Sequence, residues 1–96
     1  MTEHVIRIRV QVRESGGKAF HEVEVSDENP RLSHLLQAVS QEAWGERFFE
    51  AGDEPARLKP GHLLVLENRM VQPWEIEDTT VSDGQTLSFV PVVAGG

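Results

Sequence analysis

Residues 5–13 alternate strictly, with Ile6, Ile8, Val10 and Val12 on one side and Arg7, Arg9, Gln11 and Arg13 on the other. That period is the mark of a strand with one face buried and one in water. Ser15-Gly16-Gly17-Lys18 reads as a hairpin turn. A second strand follows over Phe20–Val25, with Val23 and Val25 opposite in parity to Glu22 and Glu24. Asn29-Pro30 then predicts a helix start, Asn29 as cap and Pro30 in the first helical position. Leu32, Leu35, Leu36 and Val39 form one apolar stripe at helical spacing, and Gly45 is the expected stop.

Residues 46–61 read as a charged connection whose Phe48 and Phe49 fold back onto the core, closed by a turn at Lys59-Pro60-Gly61. Leu63–Leu66 is a third strand. Glu67-Asn68-Arg69 turns into a short fourth strand near Met70–Gln72. Residues 73–85 form a loop closed by Asp83-Gly84, and Thr86–Val92 is the last strand. One amphipathic helix on a mixed four- or five-stranded sheet is an α+β roll. In such a roll the first and last strands pair in parallel at the centre.

Composition narrows the function. Ninety-six residues make one domain with a small core. A net charge of −7 argues against nucleic acid and anionic membranes as partners, because phosphate contacts need Lys and Arg, and it favours partners with basic surfaces. With no cysteine, thiolate nucleophiles, disulfides and cysteine zinc sites are excluded. His4, His21, His34 and His62 lack ligand spacing, so no metal site is expected. The first residues lack the apolar core of a signal peptide and no run suits a membrane span, so the cytoplasm is the expected location.

The C-terminal end, Val92-Val93-Ala94-Gly95-Gly96, is an apolar strand running into a diglycine. Without Cβ atoms, Gly95 and Gly96 can enter a narrow enzyme pocket. A terminal carboxylate is ionised at neutral pH and unreactive until another group activates it. The expected organisation is therefore a folded domain over residues 1–92 and a flexible tail over 93–96.

The segment from Asp83-Gly84 through Thr86–Val92 to Gly95-Gly96 resembles the C-terminus of the MoaD/ThiS ubiquitin-like sulfur carriers. That family has an Asp-Gly turn, an apolar strand, often a proline (here Pro91), and a terminal diglycine. The hairpin at Glu67-Asn68-Arg69 also sits where the family places one; before it the likeness is one of topology only. The resemblance implies a β-grasp fold and a co-substrate, not an enzyme. It implies that a ubiquitin-activator-like adenylating enzyme uses MgATP to join AMP to Gly96. A sulfur donor then displaces AMP, leaving a thiocarboxylate. No cofactor is expected to stay bound. Gly95 gives access to the partner's pocket. The acceptor would be an enzyme such as a molybdopterin synthase large subunit or a thiazole synthase. The Pro91–Gly96 ending and the chain length favour molybdopterin over thiamine, with cysteine synthesis also open. Two other readings stand: a protein modifier joined through Gly96 to lysines, or an interaction module with an idle diglycine. Val92 stands where ubiquitin has an arginine, which disfavours conjugation of the eukaryotic type.

Parity supplies the docking residues. Leu87 and Phe89 point under the helix, so Val90 and Val92 point outward, near an outward pair from the third strand. Together with Val93 and Ala94 they are the expected partner-binding residues. Arg7, Arg9 and Arg13 share that open face and are expected to pair with Glu22 and Glu24. Glu75, Glu77 and Asp78 read as a solvated loop. Trp44 is expected to cap the helix end as core, and Trp74 to be half exposed, as a lid on the sheet edge or a partner contact.

Overall fold

The computed structural model describes residues 5–14, 16–50 and 57–92. β1 (Val5–Glu14) and β2 (Gly17–Ser26) form an antiparallel hairpin paired from Val5↔Ser26 to Glu14↔Gly17. Gly17 takes φ +117°, a region glycine enters without a Cβ penalty. Lys18, expected in the turn, already lies in β2 opposite Arg13.

The helix α1 (Leu32–Ser40) begins later than Asn29-Pro30 suggests. The segment before it is held extended against residues 79–81. The Pro30 carbonyl accepts from Val81 N–H at 3.0 Å, and Leu32 N–H donates to Thr79 O at 2.7 Å. Arg31, in extended conformation, is the N-cap, and its N–H donates to His34 Nδ1 at 3.0 Å. Backbone pairing with a distant loop therefore displaced the local capping signal.

Gly45 is likewise not the helix stop. α1 ends at Ser40, and Gly45 follows at φ −101° on ordinary right-handed backbone. Its role is steric: a Cβ there would collide with the Val39 carbonyl oxygen and stand 2.7 Å from Val39 Cγ1. Glycine lets the 41–45 turn fold back onto the last turn of the helix. A 3₁₀ turn (Glu46–Phe48) then delivers Phe48 and Phe49 into the core, as expected.

β3 (His62–Leu66), β4 (Arg69–Val71) and β5 (Thr86–Pro91) complete a five-stranded sheet of order β2-β1-β5-β3-β4. β1 and β5 pair in parallel through Arg9↔Thr86, Val10↔Leu87 and Gln11↔Ser88. The Asp83-Gly84 turn fixes that register. Arg7 N–H donates to Asp83 Oδ1 at 2.8 Å, Gly84 N–H to Arg7 O at 2.9 Å, and Arg9 N–H to Gln85 O at 2.9 Å. Gly84 sits at φ +87°, where glycine is favoured.

α1 covers one face of the sheet. Ile8, Val10 and Val12 of β1, Leu87 and Phe89 of β5, and Leu32, Leu35 and Val39 of α1 are buried in one cluster. Each such side chain contributes roughly 1.5–3 kcal/mol of transfer free energy. This is the β-grasp, or ubiquitin-like, arrangement.

Candidate functional site

β5 leads the chain toward its C-terminus and is the element on which the site is built. At its start it lies between β1 and β3, but pairing with β1 ends at Ser88 while pairing with β3 continues to His62↔Pro91. The second half of β5 therefore has a free side, where a proline without an N–H breaks no ladder bond. Val92, just past the strand, still donates its N–H to Gly61 O at 2.9 Å. That bond holds the chain to the sheet one residue beyond Pro91.

Alternation along β5 separates its two faces. Leu87 and Phe89 are buried under α1, where Phe89 stacks on Phe48 with ring centroids 4.7 Å apart. Val90 and Val92 lie on the open face, 38% and 50% exposed. β3 divides similarly, with Leu64 and Leu66 buried, Leu63 exposed and Val65 partly so. Leu63 pairs directly with Val90, and Val65 with both Ser88 and Met70. Leu63, Val65, Met70, Val90 and Val92 thus gather one apolar patch beside the root of the C-terminal segment. Val93, Ala94, Gly95 and Gly96 lie outside the described residues.

Leu63 and Met70 are docking candidates that the sequence reading left unnamed. A signal for Met70 was present: a two-residue turn at Glu67-Asn68 pairs Leu66 with Arg69 and so Val65 with Met70. The Gly61 carbonyl, which anchors Val92, carried no such signal.

The other half of the open face is polar. Arg7 Nε lies 3.2 Å from Glu24 Oε2 and 4.0 Å from Glu22 Oε1, as parity suggested. Arg9 and Arg13 depart from the expected pairing: among the described residues neither meets a carboxylate. The Arg9 guanidinium lies 5.6 Å from the Phe20 ring centroid, and Arg13 faces Lys18 across the hairpin. The exposed ring offers Arg9 a cation–π contact in place of an acid.

His62, at the start of β3 and on its core-facing side, packs edge-on against Phe48 at 4.9 Å. Its Nδ1 is buried without a hydrogen-bond partner among the described residues. Burial, reinforced by the Arg47 charge, holds its pKa below the ordinary value, so the ring is neutral at pH 7. Trp44 is partly buried against the core at the end of the helix region, its ring stacked on His21 at 4.1 Å. Trp74 stands 76% exposed, which rules out a lid folded over the sheet edge. Among the described residues no group of three or more His, Cys, Asp or Glu is arranged to hold a metal ion. No helix among them is long and apolar enough to cross a membrane.

The site is thus a strand that leads toward the C-terminus with an apolar patch beside it. The model of the ThiS family matches residues 6–96, the diglycine included. The chain belongs to the ThiS family. At the level of the family it is a ubiquitin-like sulfur-carrier protein. Similar solved structures agree on the fold. Small archaeal modifier protein 1 from Methanosarcina acetivorans is 22% identical, with a TM-score of 0.61 over 97% of this chain and 99% of that one. The HVO 2177 protein of Haloferax volcanii is also 22% identical, with a TM-score of 0.60 over 96% of this chain and 88% of that one. No curated protein matches the chain.

Proposed function

We propose that this ThiS-family chain is a sulfur carrier that works through the carboxyl group of Gly96. A ubiquitin-activator-like enzyme binds MgATP, and a Gly96 carboxylate oxygen attacks the α-phosphorus, expelling pyrophosphate and leaving an acyl adenylate. Hydrosulfide, or an equivalent donor, then attacks the carbonyl carbon. A C–S bond forms, the C–O bond to AMP breaks, and a thiocarboxylate remains. The carrier is a co-substrate; the catalytic groups belong to the enzymes it visits. Gly95 lets the main chain pass where a Cβ would collide, and Val90, Val92, Val93 and Ala94, with Leu63 and Met70, form the docking surface.

The observation that carries this reading is the family match running through Gly96, joined to an apolar patch on the strand that leads there. The acceptor we favour is a molybdopterin synthase-type large subunit, on the likeness of the Pro91–Gly96 segment. A thiazole synthase or a cysteine-forming enzyme is the competing acceptor.

Mass spectrometry tests the reading. The protein is incubated with the activating enzyme of its own organism, MgATP and a sulfur donor. Exchange of one oxygen for sulfur at Gly96 is the expected result. A modifier shares the adenylate, and the β-grasp likeness to small archaeal modifier protein 1 supports that second reading. Lysine adducts in cell extract without thiocarboxylate would favour it. No ATP-dependent change at Gly96 would overturn both.

A further inference from the structure

A groove of about 870 Å³ opens where the β3–β4 turn meets the 3₁₀ turn Pro73–Glu75. Glu67, Arg69, Trp74, Glu75 and Asp78 contribute to its walls. It lies at the start of β5, beside Leu66↔Leu87, whereas the C-terminal segment departs from the other end, beyond His62↔Pro91. Four strand steps, roughly 13 Å, separate the two ends.

Trp74 is the most exposed of the large apolar side chains described, yet its backbone is tightly held. Gln72 N–H donates to Glu75 Oε1 at 2.8 Å, and Glu75 N–H donates to Gln72 O at 2.9 Å. The buried Thr79 hydroxyl donates to Glu75 O at 2.7 Å, and Ile76 packs on the core. The indole is presented to solvent from a braced turn. Tryptophan is strongly favoured as a binding anchor, and bracing in advance reduces the ordering cost of association.

The charge around the indole selects the partner. One arginine faces three carboxylates, and Arg69 is already engaged with Glu75 at 3.4 Å. That leaves Asp78, and Glu67 whose Oε2 accepts from Thr86 N–H at 2.8 Å, to set the sign, on a chain of net charge −7. An exposed indole face beside carboxylates suits a guanidinium or ammonium group. We propose that this groove is a second docking site, which takes an arginine- or lysine-bearing segment of a partner protein and seats the cation on Trp74. It is separate from the apolar patch and does not depend on the sulfur-carrier reading.

The test uses the full chain and two synthetic nonapeptides, one alternating arginine with glycine, the other glutamate with glycine. Binding is followed by amide and indole NMR shifts at low salt. The arginine peptide should move the Trp74 indole signal and the amides of Leu66–Arg69 and Asp78–Thr80, leaving the Trp44 indole in place. The glutamate peptide should move neither. Trp74→Ala should weaken binding about tenfold, and Trp74→Phe should retain part of it. Asp78→Asn should weaken it too. Glu22→Gln/Glu24→Gln/Glu42→Gln, in the acidic groove between β2 and α1, should leave it unchanged. Absence of binding, unchanged binding by Trp74→Ala, or shifts centred on Glu22, Glu24 and Glu42 would overturn the proposal. Since no sulfur chemistry is read, failure here leaves the carrier reading standing, and failure of Gly96 modification leaves this one standing.

Discussion

Leu63 and Val90 stand directly opposite each other on neighbouring strands, both turned away from the helix and both exposed. A directly paired apolar couple on a sheet's open face packs with itself and offers the rest of its surface to a partner. Replacing either by aspartate removes apolar contact area without touching the core. Thiocarboxylate formation by the activating enzyme should fall about tenfold or more, while the urea midpoint moves by no more than about 0.5 kcal/mol equivalent. Steady-state rates and urea titrations on the same variants check both halves.

Phe89 and Val92 should show the opposite balance from each other. Phe89→Ala empties a site stacked on Phe48 and should cost about 3–5 kcal/mol, a large share of the stability of a domain this size. Val92→Ala, on exposed chain, should leave stability nearly unchanged and weaken partner binding. Deleting Gly96 should abolish modification with no change in melting temperature. Calorimetry with mass spectrometry separates the three variants.

Gly45 offers a test of packing. A methyl group there meets the Val39 carbonyl and side chain at distances real Cβ atoms do not adopt. Gly45→Ala should destabilise by about 1–3 kcal/mol. Because its φ is ordinary, the cost is steric and not torsional. Val39→Ala relieves only the side-chain part of the clash, so the double mutant should recover a fraction of the loss beyond additivity.

His62 sets a pH dependence. Its folded pKa lies below the ordinary 6.5, so the unfolded chain binds the proton more tightly. The stability it contributes is fully present above about pH 6.5 and is lost as pH falls through the folded value. His62→Phe keeps an aromatic ring beside Phe48 and removes the proton site. Urea midpoints from about pH 7.5 down to about pH 5 should fall less steeply for that variant than for the parent.

Much of the fold was legible because its strands and helix each expose one face to water. Ile6–Val12 in β1 and Leu32–Val39 in α1 announce their periods, and both form where those periods place them. The parallel pairing of β1 with β5 followed from the order of elements. Leu63–Leu66 does not alternate, and only pairing with β5 shows which of its residues face outward. The helix starts later than Asn29-Pro30 suggests because Pro30 and Leu32 bond to Val81 and Thr79, which no local rule can see. Gly45 read as a stop signal because its contact with Val39 lies around a turn, not along the helix. Parity points Arg9 and Arg13 toward acids, but parity names a face and not the neighbour found on it.

Local periodicity, turn chemistry and the diglycine ending belong to the order of residues along the chain. They decide which segments become strands, which face of the helix is buried and which family the protein joins. The union of Leu63, Met70, Val90 and Val92 into one patch, and the siting of the Trp74 groove at the other end of β5, belong to the packed molecule. Each brings together residues far apart in sequence, and only closure of the sheet over its core sets the register that makes them neighbours.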